Sequence, residues 1–531
     1  MNLPRRLGIL AMVVAVAAAV AHQCGLALPS LRWFYSFDAT PEQVLDATEG
    51  SFLGMTIHWP WIRENQGELI GHAWCAVLLL VGMVFLVRSV GFQWNPLTVR
   101  KIERFRSIGR GNASLKLLGI LLVLALLDQA LVGKRALAVK HEDRWDFPAF
   151  QNRIFTDQDF GGESEEEADY RELKKQWKEE GSENLVIMPP VPWGPSFDSD
   201  ELMRKDLDLS KGVILEPSGK KPYDGFAVQF ENAESDKRLL SGSIRAGRLS
   251  GPVQVYDAKG DVIGRETWKD GERVGGAVEG AAVSAEATWS KVIYMPLPPD
   301  LESRHFLGTD SKGWDILAQL YGGLQVLFKA AALYLLLTYL IGITLGALMG
   351  YFGGVFDLFM QRVMEIMSNI PFLLVVMIII ANIGRDKVTL ATILAIFCLF
   401  SWISVATYLR TATYKEKARD YVSAARVIGA PTSRVIFRHI LPNVIATIVT
   451  LVPFSVTSVI TSLTALDFLG FGLSERYPSW GRLLSDGVNN LSSSWIVSSV
   501  FVMLVLLLLL VTFVGEAVRE AFDPRTFTTY Q

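Results

Sequence analysis

The sequence predicts an all-α integral membrane protein of about eight transmembrane helices carrying a large extracytoplasmic insertion of α+β or β-rich character. Two observations lead there. Half of the 531 residues are hydrophobic and only 20% are charged, with a mean hydropathy of +0.29, too apolar for an ordinary soluble enzyme. Charge is also segregated: residues 134–323 hold 25 Lys/Arg against 35 Asp/Glu, whereas the rest of the chain holds 26 against 19. An acidic soluble block therefore sits inside a basic membrane chain. The formal charge of -3 gives no basic surface for nucleic acid, which is excluded as a partner.

A bilayer core of roughly 30 Å needs about 20 helical residues. Stretches free of Asp, Glu, Lys and Arg cover residues 7–28, 69–87, 330–356, 366–384, 388–409, 441–466 and 487–515, and an eighth, 117–132, is interrupted only by Asp128. Basic flanks stay in the cytoplasm. Arg5 and Arg6 place the N-terminus there, and the loop 88–116 carries seven basic residues against Glu103 alone. The intervening loop 29–68 is acidic, as an exported loop should be. Alternation then exports residues 134–323 and returns residues 410–439, with seven Lys/Arg against Glu416 and Asp420, to the cytoplasm, as it does the C-terminus. Arg5, Arg6 and Ala19-Val20-Ala21 also fit a cleavable signal, although 22 charge-free residues suit a retained anchor better.

Within the exported block, Val253-Gln254-Val255-Tyr256, the turn Asp257-Ala258-Lys259-Gly260, a strand over 261–268 and the turn Lys269-Asp270-Gly271-Glu272 predict β-hairpins. Residues 168–180 read as a short exposed helix, and the acidic run 163–169 lacks the spaced oxygen ligands of a calcium loop, so it reads as a solvated face.

Catalytic signals are missing. The sequence has no Gly-x-x-x-x-Gly-Lys-[Ser/Thr] loop, no His-Glu-x-x-His pair and no Gly-x-Ser-x-Gly elbow, so no ATP site of that kind, no metal, no cofactor and no catalytic residue is expected. Cys24, Cys75 and Cys398 all lie in apolar runs. His22 and His439 read as structural. Charges in or beside spans are candidates for function because lipid makes them costly. Lys329 and Asp128 lie near the exported surface, where side chains reach water. Asp467, Arg362 and Glu365 are kept as pathway or structural polar residues, and Glu516 flanks the last span.

The most informative segment is 419–443. It reads as two short helices with a break: small Ala424 and Ala425, Gly429 at a left-handed position, Pro431 opening the second helix, and Pro442-Asn443 ending it before the next span. Val427, Ile428, Val435, Ile436 and Phe437 give the loop an apolar side, fit for docking in another protein's groove. Ser423-Ala424-Ala425, then Gly429, His439 and Leu441-Pro442 resemble the EAA loop of ABC-importer permeases, with Ser where that family often has Glu. The resemblance implies that Tyr421, Ser423, Ala424, Ala425, Gly429, Arg438, Leu441 and Pro442 form a coupling loop seated in an ATPase subunit.

It extends over the second half of the chain and points to the peptide-type C-subunit branch. Leu307-Gly308-Thr309-Asp310, Gly350-Tyr351-Phe352-Gly353-Gly354, Gln361-Arg362, Pro371, Phe468-Leu469-Gly470-Phe471-Gly472, Pro478-Ser479-Trp480-Gly481 and Asp523-Pro524-Arg525 fall in the family order. Trp145-Asp146-Phe147-Pro148, Asp159-Phe160-Gly161-Gly162-Glu163, Ala168-Asp169-Tyr170 and Thr464-Ala465-Leu466-Asp467 look like the Yej-type permeases, associated with microcin C and oligopeptide uptake. Trp314 and Leu324 stand where the family usually has Arg.

The implied organisation is an extra pair of spans in 1–95, a basic entry and the first core span in 96–133, the exported domain in 134–323 with a β-rich insertion about 205–290, and the permease core in 324–531 with the coupling loop at 410–442. A six-helix core would move peptides or peptide-like molecules across the bacterial inner membrane by alternating access. A second permease subunit forming a heterodimer, two ATPase domains binding ATP and Mg, an extracytoplasmic substrate-binding protein and membrane lipid are the implied partners. A membrane-anchored sensor or assembly scaffold is the rival reading. The orientation is open to direct test: a reporter fused after Lys259 should be active only outside the cytoplasm, and cytoplasmic activity there would refute it.

Overall fold

The computed structural model describes residues 3–24, 26, 72, 75–83, 86, 96–142, 144–151, 153–162, 167–195, 198, 204–210, 213–215, 221–232, 237–257, 262–276, 278, 287–292, 296–301, 303–385 and 388–522. They form two compact units, one of residues up to 198 with 299–308 and 314 onward, the other of residues 199–298 with 309–313.

In the first unit, helix α1 covers Leu3–Gln23, and residues 75–83 of the second apolar stretch form a helix against it. Ala15, Ala18 and Cys75 are buried together, and a side chain on Gly82 would run into Met12 and the Gly8 carbonyl. The rest of the 69–87 stretch and the whole loop 29–68 lie outside the described residues. Helix α2 (Pro96–Ser107) leads into α3 (Gly109–Leu126). The span expected over 117–132 thus begins earlier and stops sooner. Asp128 adopts a positive φ of 43° just past its end, and the last carbonyls of α3 are taken by the Tyr321 hydroxyl (Leu124 O, 2.6 Å) and Gln325 Nε2 (Ala125 O, 2.9 Å).

Those donors belong to α5 (Ile316–Phe352), which follows the short α4 (Tyr170–Glu179). At 37 residues α5 is far longer than the stretch expected from 330, because Asp315 caps its N-terminus through Ala318 N (2.7 Å) and an apolar face begins at once. After Gly353 (φ 64°) come α6 (Gly354–Asn369) and α7 (Phe372–Ile383), then α8 (Leu390–Lys417). The span expected over 366–384 is in fact part of this pair, bent by 73°. Pro371 supplies the reason, since it lacks the amide that would continue α6.

Three glycines one turn apart bring α5 against α8. A Cβ on Gly342 would stand 2.7 Å from Val405 Cβ, on Gly346 2.6 Å from the Ala406 carbonyl oxygen and on Gly350 2.6 Å from the Arg410 carbonyl oxygen. Positions rise together along both helices, so the two run parallel. The chain between them must therefore travel back along α8, whose 28 residues span roughly 40 Å, and α6–α7 is the segment that does so.

The bundle is completed by α9 (Asp420–Val427), α10 (Leu441–Phe468), α11 (Trp480–Asn489) and α12 (Ser494–Phe522). Its main core gathers Leu320, Leu327, Ile380, Ile393, Leu463 and Ile496 from five of these helices. Gly111 of α3 packs on Ala517 of α12, and Gly515 on Pro453 of α10. Among the described residues five helices are long and apolar enough to cross a membrane, and α6–α7 makes a sixth if it is one broken span. Trp314 and Leu324 are both buried.

The acidic segment after α3 contributes to this unit a three-stranded antiparallel sheet, β2 (Arg144–Asp146), β1 (Ala138–His141), β3 (Leu185–Ile187), in that order. Helix α4 is not the exposed helix expected. Tyr170, Leu173 and Trp177 recur on one face and are buried with Val139, Phe160 and Val186. Of the acidic run, residues 163–166 lie outside the described residues. Glu167 binds Lys134 and Arg135 at 2.9 Å each. Burial pushes the Glu167 carboxyl up, but these two cations together hold it below its usual range.

The second unit contains a seven-stranded antiparallel sheet, β11-β10-β9-β8-β7-β12-β4, over Glu272–Gly275, Val262–Lys269, Arg248–Tyr256, Arg238–Arg245, Gly225–Phe230, Thr288–Val292 and Arg204–Asp206. A small hairpin of β5 (Asp208–Ser210) and β6 (Val213–Leu215) accompanies it. The hairpin expected at 269–272 is present, turning through Asp270 and Gly271 at φ 53° and 88°. Residues 258–261 of the preceding turn lie outside the described residues. The glycine contacts in the helical unit yield a direct expectation: Gly346→Leu should lower thermal stability in detergent by about 1–3 kcal/mol or abolish the folded bundle, and an unchanged melting temperature would contradict the parallel α5–α8 packing.

Candidate functional site

The loop between α8 and α10 is folded back onto the bundle. After α9, Gly429 takes φ 82°, Pro431 N-caps a three-residue turn (Thr432–Arg434), and Val435–Ile440 is π-helical, running without a break into α10. The ending expected at Pro442-Asn443 is therefore wrong. Proline has no N–H and its ring presses on the carbonyl four residues back, and the wider π turn accommodates both.

Its apolar residues also divide, rather than forming one side. Val422, Val435, Ile436 and Ile440 face inward onto Ala347, Leu409 and Val444, and Ala425 is buried as well. Val427, Ile428 and Phe437 face outward at 87%, 85% and 68% exposure, beside exposed Ser423, Ala424, Arg426, Arg434 and Arg438. Tyr421 staples the loop: its hydroxyl donates to Glu416 Oε2 at 2.7 Å and accepts from Asn443 Nδ2 at 2.9 Å, while Asn443 also donates to the His439 carbonyl at 2.8 Å. Burial and the Glu416 hydrogen bond push the Tyr421 phenol up, so it remains a donor. Gly429 and Pro431 shape the turn, and Leu441 and Pro442 form the first turn of α10.

Asp467 lies elsewhere and ties α10 to α11. Its carboxylate accepts from Leu473 N (2.6 Å) and Ser479 Oγ (2.5 Å), while Ser479 also caps α11 through Arg482 N. A Cβ on Gly472 would lie 1.7 Å from Asp467 Oδ1, which explains the glycine in Phe-Gly-Leu. Trp480 donates to the Leu320 carbonyl at 2.8 Å, closing the knot onto α5. Asp467 is thus spent on structure. Arg362 and Glu365 pair with each other at 2.5 Å on an exposed face of α6. Asp357, one turn before, is the buried carboxylate of that helix, held by Arg410 of α8 at 2.5 and 2.6 Å.

Between α5, α8, α10 and α12 lies a cavity of about 570 Å³ lined by Tyr334, Ser401, Tyr408, Thr450, Ser455 and Arg519 among others. A second of about 210 Å³ shares Tyr334, Ser401 and Ser458 and ends on Phe372, Phe397 and Phe400. Hydroxyls both donate and accept, so such a lining satisfies polar chains without a fixed charge pattern. No group of three or more metal-ligating side chains occurs among the described residues.

Comparison with known proteins decides what kind of bundle this is. Residues 342–528 match the family described as binding-protein-dependent transport system inner membrane component. The oligopeptide transport system permease protein OppC of Haemophilus influenzae is 33% identical over 240 residues, 44% of this chain and 74% of that protein. The chain belongs to this family of permeases. The inner membrane ABC transporter permease protein YejE of Escherichia coli is 29% identical over 430 residues, 81% of this chain and 98% of that protein. The peptidoglycan transport system permease protein YejE of Agrobacterium fabrum is 39% identical over 225 residues, 42% of this chain and 58% of that protein. The resemblance read from the EAA-type loop is thereby confirmed, and the chain is a multi-pass inner membrane transport component, not an enzyme.

Sequence reasoning missed the Tyr421–Glu416–Asn443 staple, the Asp357–Arg410 pair and the hydroxyl lining. Asp523-Pro524-Arg525 lies outside the described residues. The loop geometry separates two substitutions that the sequence treats alike. Ala425→Asp should cost several kcal/mol by burying an unpaired carboxylate, seen as a lowered melting temperature, whereas Val427→Asp should leave it within about 0.5 kcal/mol. Equal melting of the two would contradict the assigned faces.

Proposed function

We propose that this permease is one transmembrane subunit of an ATP-driven importer for peptides or peptide-like molecules, working by alternating access. The observation that carries the reading is the loop itself: a rigidly stapled element presenting Val427, Ile428 and Phe437 to solvent next to three arginines. Such a surface on a transport component is suited to the groove of an ATPase, and the sequence has no phosphate-binding loop of its own. Exposed apolar side chains on the loop gain by burial in a partner. A second permease, two ATPase domains and an exported substrate-binding protein complete the proposed assembly, with the loop and both termini cytoplasmic and residues 134–323 extracytoplasmic, on eight spans.

The peptide assignment rests on the cavity and on the names of the relatives, which include oligopeptide and peptidoglycan transport permeases. A volume of about 570 Å³ falls within the roughly 300–1,000 Å³ usual for ligand pockets. Peptides present alternating N–H and C=O groups whatever their side chains, and a hydroxyl lining meets both. The test is mild affinity purification from the native membrane, with companions identified by mass spectrometry and ATP hydrolysis assayed. A second permease and a P-loop ATPase should co-purify, and Val427→Asp should reduce ATPase recovery at least fivefold. Recovery without any ATPase would overturn the importer reading in favour of a sensor or scaffold.

A further inference from the structure

The coupling loop touches more than the helices on either side of it. Arg426, one turn after the buried Val422 on the same side of α9, places its guanidinium 4.9 Å from the centre of the Tyr351 ring, at the last turn of α5. Lys417, the last residue of α8, lies over the same ring at 5.7 Å and over Tyr414 at 5.9 Å. Arg410 lies 5.3 Å over the other end of this series, the Tyr414 ring, and grips Asp357 of α6 with two hydrogen bonds, to which Gln361 adds a third at 3.1 Å. A Cβ on Gly353 would stand 2.8 Å from the Tyr414 hydroxyl, so the turn between α5 and α6 is seated on that tyrosine.

All these distances lie within the roughly 6 Å over which a cation is held by a ring. Three of these contacts join different elements, Arg426–Tyr351 (α9 to α5), Lys417–Tyr351 (α8 to α5) and Arg410–Asp357 (α8 to α6), while Lys417 and Arg410 meet Tyr414 along α8 itself. Cation–ring contacts resist separation yet tolerate sliding across the ring face, whereas the bidentate Arg410–Asp357 pair fixes both distance and angle. Motion entering at Arg426 can thus shift the stack and arrive at α6 as displacement of a rigidly held carboxylate. Beyond Asp357 the helix runs to Asn369 and the 73° bend into α7, whose Phe372 lines the smaller cavity.

We propose that Tyr351, Lys417 and Tyr414 are positioning residues that connect the coupling loop, through Arg426 at one end and Arg410–Asp357 at the other, to the bent pair α6–α7. ATPase movement then reaches the cavity wall by this side route as well as along α8 and α10. The proposal rests on the reading of 420–442 as an ATPase-docking loop, and the test separates the two. Spin labels at Leu358 on α6 and Val502 on α12, both exposed, are placed in the purified complex with Cys24→Ser, and their separation is measured before and after trapping with ATP, Mg²⁺ and vanadate.

In the unsubstituted complex the separation should change on trapping. Tyr351→Leu and Lys417→Gln should each keep ATP hydrolysis within twofold while reducing that change at least fivefold, and Tyr351→Phe and Lys417→Arg should restore it. The two losses should not add when combined, since they interrupt one route. An α6 that does not move in a hydrolysing complex, or moves in Tyr351→Leu and Lys417→Gln as it does in the unsubstituted complex, would overturn the proposal. A complex that contains no ATPase would overturn the docking reading instead. Should Tyr351→Leu fail to fold, Lys417→Gln, at a half-buried position ending α8, decides alone.

Discussion

The close parallel contact of α5 and α8 is the constraint on which the rest of the helical unit depends. Gly342, Gly346 and Gly350 lie one turn apart, and each meets either a carbonyl oxygen or a β-branched side chain of α8 at a distance no Cβ could share. In lipid, where apolar burial gives helices little reason to prefer one another over acyl chains, such intimacy supplies dispersion contact along the whole interface. Because the two helices run parallel, everything between them must return the chain, which makes α6–α7 an obligatory link rather than a decoration. Because α8 continues to Lys417, the same contact sets where the loop emerges.

From that frame the polar residues acquire different duties. Asp467 read as either a pathway or a structural polar residue by the rule that intramembrane carboxylates signal function, and it closes a knot with Ser479, Leu473 and Gly472 that turns α10 into α11. Arg410 and Asp357 were absent from the same list and form the tighter pair, linking helices 53 residues apart. The cavity, by contrast, is lined mostly by hydroxyls, which attract no notice in a sequence, with Arg519 as the charged side chain among the described lining residues. A transporter for chemically varied chains gains from this: neutral donors and acceptors hold a backbone without selecting its side chains.

The loop divides its apolar residues between two faces. Val422 and Val435 bind it to its own bundle and Ala425 is buried, whereas Val427, Ile428 and Phe437 stay exposed, the side proposed for ATPase docking. The helical period forces this division, since neighbours in sequence point apart. A loop whose apolar residues all faced outward could not transmit force, and one whose residues all faced inward could not receive it. The Tyr421 staple adds the stiffness that both need.

Much was fixed by composition and spacing alone. Long charge-free stretches can only satisfy their backbone as helices in lipid, so the membrane class, the acidic intervening block, the hairpin at Asp270-Gly271 and the family's EAA-type loop were all legible locally. Tertiary structure decided what depends on partners distant in the chain. It moved the start of α5 back to Ile316, bent the span at Pro371, carried Pro442 into α10 through a π turn, buried one face of α4, and assigned Asp467 to a knot. The reason is the same in each case. A periodic apolar pattern says that a face is to be covered, whereas which residues cover it, and which polar groups then lose their water and need partners, is set only when the helices meet.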